Sequence, residues 1–132
     1  MNQVIIYKQD NGTVAIITPT GELSIEEVAK KDVPAGVPFR IVNDDEVPSD
    51  RTFRNALKYD LTVDMTKAQG ITKDRLRAER APLLTALDVQ YQRAQEDGRD
   101  TTIIISEKQR LRDVTKLADT ATTLDELKAL SA

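Results

Sequence analysis

Leu76, Leu83, Leu87, Tyr91 and Ala94 recur at spacings of seven, four, four and three. Those spacings place them on one face of an α-helix, and Arg75, Arg77, Glu79, Arg80 and Arg93 fall mainly off that stripe. The stretch 73–117 therefore reads as a long, charged, amphipathic helical segment, with the pattern turning helical from Asp64. Gly70 weakens its early part. Pro82 has no amide proton and is expected to kink the helix, or to start a new one after Ala81. Glu96-Asp97-Gly98 ends it, with Gly98 suited to a left-handed C-terminal residue. A second helix is expected from Thr101 or Thr102, with Ile104, Leu111, Val114 and Ala118 on one face. The run Ile103-Ile104-Ile105 is equally compatible with the start of a strand. Thr123-Leu124-Asp125-Glu126 matches a capping box and predicts a last short helix carrying Leu124, Leu127 and Leu130. Two antiparallel helices joined near Gly98 and closed by that short helix would bury the leucines together. Substituting Leu83 or Leu87 by alanine should then cost ~2–5 kcal/mol each.

The first part of the chain has a different periodicity. Residues 3–8 and 13–17 are rich in β-branched side chains and are separated by Gln9-Asp10-Asn11-Gly12. Asn-Gly predicts a hairpin through a type I′ turn, in which both central residues have positive φ. Pro19-Thr20-Gly21 breaks the second strand. Ser24-Ile25-Glu26-Glu27 fits a capping box and predicts a helix from about Ile25 to Lys31. Pro34, Gly36 and Pro38 stop it, and Val37 to Val42 reads as a third strand. Pro38 puts that strand at an edge, because proline cannot donate to a ladder. Asn43-Asp44-Asp45-Glu46 reads as an acidic connector. Pro48 to Arg54 reads as a turn followed by a short helix or extended arm, with Phe53 anchoring it to something apolar. The expected fold is α+β: a ββαβ head over 1–42, a connector and arm over 43–62, and a helical region over 63–132.

The composition narrows the chemistry. There is no His, Cys or Trp in 132 residues. Without His, the usual general acid–base group near neutral pH is missing. Without His and Cys, zinc lacks its usual ligands and no disulfide forms. The five glycines stand singly, so there is no phosphate-cradling loop. Asp44, Asp45 and Glu46 are adjacent, so in extended chain they point to different sides, and they lack calcium-loop spacing. Ser24, Ser49, Ser106 and Ser131 have no histidine to activate them, and nothing marks out a nucleophilic lysine. Enzymatic activity, metals and cofactors are not expected. No apolar run approaches the ~18 residues that span a membrane, and Met1 to Lys8 lacks the basic start of a secretory signal. With 39% hydrophobic and only 4% aromatic residues, the supply for one core is thin. Some apolar surface is expected to be completed by a partner.

Arg75, Arg77 and Arg80 admit two readings. As a nucleic-acid patch they would neutralise phosphates. Against that, the net charge is −3, Asp74 and Glu79 offset the arginines, Arg75 and Glu79 form an i, i+4 pair, and no aromatic side chain interleaves for base stacking. A solvated or partner-facing helix surface fits better, since arginine is enriched in protein interfaces. The leucine stripe is either the core of a helical hairpin or a seam shared between chains, such as a homo-oligomer. Clean heptads for a coiled coil are absent.

Arg77-x-x-Arg80-x-x-Leu83-Leu84-x-x-x-Asp88-Val89, followed by Lys108-Gln109-x-Leu111-Arg112-Asp113-Val114, resembles the tail assembly chaperone and tail-fibre assembly proteins of tailed bacteriophages. Val89 stands where that pattern usually has Trp, and Lys108-Gln109 where it has Tyr-Arg. Val33 to Phe39 and Asp50 to Ala56 resemble the amino-terminal part of small phage proteins encoded beside tail-fibre genes. The resemblance implies a non-enzymatic phage tail protein that binds a tail-fibre or baseplate protein. It would be a virion structural component or an assembly chaperone, located in the virion tail or in the host cytoplasm during assembly. It implies a docking region shaped by Arg77, Arg80, Leu83, Leu84, Asp88, Leu111, Arg112 and Asp113. Asp88 and Asp113 are expected to pair with Arg112 or Arg80 between helices. The rival reading is a small nucleic-acid-binding regulator using the Arg75–Arg80 surface.

Overall fold

The computed structural model describes residues 2–132. The chain divides into two compact units, the first ending at Asp64 and the second beginning at Met65. The class is α+β, with a three-stranded antiparallel sheet in the first unit and helices in the second.

In the first unit, β1 (Gln3–Lys8) lies between β2 (Val14–Ile17) and β3 (Phe39–Asn43), antiparallel to both. Pro38 lies just outside β3, which is an edge strand as its proline predicted. Successive β1 residues face opposite sides, and each side has its own cover. Val4, Ile6, Val14 and Val42 pack with Val47 and Leu57, with Tyr59 and Leu61 added at the margin. Ile5 packs with Val28, Ala29 and Val33, supplied by or next to α1 (Ile25–Asp32). The Ser24 hydroxyl accepts the Glu27 amide at 3.3 Å and opens α1 as expected.

The β1–β2 turn differs from the expected type I′ form. Gly12 alone has positive φ, at 86°, while Asn11 does not. The Gly12 amide donates to Gln9 O at 3.0 Å and the Gln9 amide to Thr13 O at 2.8 Å. This is a three-residue loop with the glycine in the left-handed position. Asn11 is held by its own side chain, which accepts from the Thr13 amide at 3.0 Å and from the Thr13 hydroxyl at 2.7 Å. That local bond wins over the two-residue turn.

The segment 43–62 is structured and contributes to the core through Val47 and Leu57. Asp44–Glu46 is a single 3₁₀ turn, with the Glu46 carboxylate accepting the Asn43 amide at 3.0 Å. Arg54–Ala56 is another such turn, and Phe53 is buried. Leu57 then bridges Val63 through a tight loop closed by Lys58 N donating to Thr62 O at 2.8 Å. Leu61 in that loop has φ 69°, a conformation uncommon for a residue with a Cβ. Arg40 of β3 ties the loop down: its guanidinium donates to Tyr59 O at 2.7 Å and lies 5.5 Å from the Tyr59 ring centre.

In the second unit, α2 (Met65–Glu96) is one helix of 32 residues. Pro82 lies inside it, so no new helix starts after Ala81. Only one i, i+4 bond is lost there, from the missing amide, and Pro82 is exposed. Gly98, at φ 68°, ends the helix region as expected. α3 (Thr102–Asp113) packs back on α2, and the three isoleucines are helical rather than extended. The expected single second helix is broken at Val114–Thr115, after which α4 (Lys116–Thr120) runs on. Leu111, Val114 and Ala118 are buried across the break, so their common face is kept. α5 (Leu124–Ala129) and α4 both pack on α2.

The Thr123 hydroxyl accepts the Glu126 amide at 3.1 Å, but Glu126 reaches back to the Thr122 amide, at 2.7 Å, rather than to Thr123. The capping box is shifted by one residue on its return arm. Thr123→Ala should destabilise the second unit by ~1 kcal/mol. Thr123→Ser should restore most of that, read from helical circular dichroism during urea unfolding.

Candidate protein-docking surfaces

The eight residues expected to shape a docking region lie on α2 and α3, but they do different jobs. Leu111 is fully buried and belongs to the interior of the second unit. Leu84 is half-buried, and Leu83 is 43% exposed. Leu83 is therefore not the core residue its place in the stripe predicted. Leu76 and Ala94 are the buried members of that stripe, with Leu87 and Tyr91 half-buried.

The expected carboxylate–arginine pairs between helices are not formed. Arg80 donates to the main-chain oxygens of Leu111 at 3.3 Å and Arg112 at 3.0 Å. These are carbonyls of the last turn of α3, where Leu111 O otherwise takes only a long 3.4 Å bond from the Val114 amide. A guanidinium supplies both donors and the favourable positive charge at a helix C-terminus. Asp88 pairs with Lys108 at 2.6 Å, across α2 and α3. Asp113 is satisfied locally, accepting from Gln109 and pairing with Lys116, each at 3.1 Å. The Gln109 bond and then the Lys116 charge hold its carboxyl below the ordinary value. Arg77 pairs with Asp74 at 2.8 Å, and Arg112 is exposed.

Lys108 was not singled out in the sequence, although it ties the helical hairpin together. Its side chain is only 16% exposed, and its ammonium lies 5.1 Å from the centre of the Tyr91 ring as well as against Asp88. The signal was Tyr91 and Asp88 one turn apart on α2, the geometry that presents a ring and a carboxylate to one cation.

Arg75 is engaged as well. It pairs with Glu79 at 2.8 Å and donates to Leu127 O in α5 at 3.0 Å. Glu79 in turn accepts the Ala132 amide at 3.1 Å. That amide, and then Arg75, lower the Glu79 carboxyl below its ordinary 4.5. A lowered folded value means the bond is intact above 4.5 and is lost as pH falls through the lower folded value. The side-chain carboxyl resonance of Glu79 should therefore titrate with a midpoint below 4.5. A midpoint at or above that value would contradict the bond.

Arg75, Arg77 and Arg80 are each paired within the unit, and among the exposed charged residues of the helices stand several large apolar side chains. Ile103 is 83% exposed and Ile105 is 50% exposed on α3. Leu83 and Val89 on α2, and Leu117 on α4, are also exposed.

Two of the clefts in the first unit lie beside β2, one lined by Ile16 and the other by Ile17, which face opposite sides of the sheet. The larger, about 930 Å³, has Val4, Ile16 and Val47 in its floor and Asp44, Asp45, Glu46, Arg51 and Arg54 among its polar walls. The smaller, about 270 Å³, is bounded by Ile17, Leu23 and Val28, with Glu22, Lys31 and Asp32 at its rim. Among the described residues no group of three or more acidic side chains is arranged to hold a metal ion, and no helix is long and apolar enough to cross a membrane.

No family model matches this chain, and no curated protein and no solved structure matches it either.

Proposed function

We propose that this chain is a non-enzymatic protein-binding component that docks on a tail-fibre or baseplate protein of a tailed bacteriophage. It acts as a virion part or as an assembly chaperone. The observation that carries the protein-binding reading is Ile103, 83% exposed in the first turn of α3. Ile105, Leu83 and Val89 add to the apolar surface of the same two helices. Large apolar side chains held in solvent by an ordered helix are candidates for cover by a protein surface. The phage setting is supported by the motif resemblance of Arg77 to Val89 and Lys108 to Val114. The nucleic-acid reading loses support, because the arginines it needs are occupied by Glu79, Asp74 and main-chain carbonyls.

The test is mass spectrometry of gradient-purified virions of the encoding phage, combined with photo-crosslinking from position 103. A fixed copy number, with crosslinks to a fibre or baseplate protein, supports a structural part. Absence from virions, with the same crosslinks in infected-cell lysate, supports a chaperone. No such crosslink in either sample overturns the proposal. Ile103→Asp should reduce the crosslinking partner's recovery at least tenfold without altering the helical circular dichroism.

A further inference from the structure

We propose that the outer edge of β2 is a binding site for an extended strand of another protein, one carrying alternating apolar and basic side chains. The proposal rests on the first unit alone and is independent of where the helical unit docks.

β2 ends the sheet, with β1 on one side only. The Gln9–Thr13 main-chain bond fixes the phase of the ladder. Bonded pairs alternate along an antiparallel ladder, so Tyr7–Ala15 and Ile5–Ile17 exchange their bonds. The amides and carbonyls of Val14 and Ile16 then point away from β1. Among the described residues no main-chain group of Val14–Ile17 bonds outside that ladder.

The edge is short, at four residues, but lacks two of the usual guards, charge and proline. β3, the other edge, is preceded by Pro38 and contains Arg40, which is committed to Tyr59. Val-Ala-Ile-Ile in β2 has neither charge nor proline, and such an edge is a template for another strand.

What selects the added strand lies on the two faces. Side chains of a strand placed beside β2 would alternate between the two sheet faces. Those on one face would enter the cleft over Ile16 and Val47, and those on the other the cleft over Ile17, Leu23 and Val28. Main-chain bonds supply affinity in this mode, and pockets for alternate side chains supply selectivity. The volumes divide the roles: the larger cleft, beside Asp44 and Asp45, takes the long basic side chains. The smaller, bounded by Ile17, Leu23 and Val28, has room only for shorter, branched aliphatic side chains.

Charge distinguishes a foreign strand from a second copy. The two clefts together carry five carboxylates, from Glu22, Asp32, Asp44, Asp45 and Glu46. Three cations, Arg51, Arg54 and Lys31, oppose them. A second β2 would bring the same acidic excess against itself, whereas a lysine- or arginine-bearing strand would neutralise it.

The experiment is titration of the full-length protein, labelled with nitrogen-15, with three capped synthetic heptapeptides. In the first, valine alternates with lysine. In the second, valine alternates with glutamate. The third repeats the first with every other backbone amide methylated. The expected result is that the lysine peptide shifts the amide signals of Val14 to Thr18 and slows hydrogen exchange at Val14 and Ile16. The glutamate and methylated peptides should bind at least tenfold more weakly. Ile16→Pro removes an outward amide without removing a β1 ladder bond, and should abolish binding if its spectrum remains dispersed. The peptide methylation gives the same information if that variant fails to fold.

Shifts confined to residues outside β2 and its two clefts, or no shift with any peptide, would overturn the proposal. Equal binding of the methylated peptide would do the same. Concentration-dependent broadening of the β2 signals without peptide would assign the edge to a second copy and overturn the foreign-strand reading.

Discussion

Leu111→Ala will cost the helical unit ~3–5 kcal/mol, whereas Leu83→Ala will cost less than ~1 kcal/mol. Leu111 is 1% exposed, so truncation removes its whole buried side chain and leaves a cavity in the interior of the unit. Leu83 is 43% exposed, so alanine there removes fewer contacts and leaves no enclosed void. Both leucines belong to the same motif resemblance and would be expected to matter alike on sequence grounds. Helical circular dichroism during urea unfolding separates them, because most of the helix lies in the second unit. The transition for Leu111→Ala should move to clearly lower urea, while that for Leu83→Ala should stay near the parent. Equal losses would mean that Leu83 is enclosed in solution, by a second copy or by a rearranged hairpin. A concentration series would then show which.

Arg80→Met is expected to cost ~1–2 kcal/mol. Hydrogen bonds from charged groups contribute about 1.5–3 kcal/mol, and the lower part of that range applies because the site is only partly buried. The substitution keeps an unbranched apolar stem but removes the donors to Leu111 O and Arg112 O. Those carbonyls lie just before the break at Val114–Thr115, where the chain leaves α3 and enters α4. Loss of the guanidinium should therefore loosen that corner first. Amide exchange at Val114 to Ala118 should rise more than exchange in the middle of α2. Arg80→Lys keeps the positive charge on a shorter stem, so it should recover part of the loss. If exchange at the corner is unchanged in Arg80→Met, the guanidinium is not the cap.

Four of the chain's six Asn/Asp-x-Thr steps carry a local signal that periodicity does not reveal. At Asn11–Thr13, Asp50–Thr52, Asp60–Thr62 and Asp100–Thr102, one acceptor oxygen takes both the amide and the hydroxyl of the threonine two residues on. This is the Asx turn, a local competitor of regular structure. It fixes the loop after β1, the loop before Phe53, the Leu57–Val63 loop and the entry to α3. At Asp60 and Asp100 the threonine hydroxyl, then its amide, holds the carboxyl below its ordinary value.

By itself the sequence determined the elements whose causes are local. The β-branched runs made β1 and β2, Ser24 opened α1, Gly98 ended the α2 region, and the leucine spacing made a helix that Pro82 did not break. It also marked Pro38 as the entrance to an edge strand. Only the tertiary structure decided which members of the leucine stripe were enclosed, because helical periodicity gives a face but not the length over which another helix covers it. It alone turned Arg80 from a surface charge into a helix cap, since the carbonyls it meets lie more than thirty residues away. It alone folded 43–62 under the sheet. Val47 stands between Glu46 and Pro48, and Leu57 between Ala56 and Lys58, so no periodicity announces them. Their burial comes from a sheet face that exists only once β1, β2 and β3 have paired.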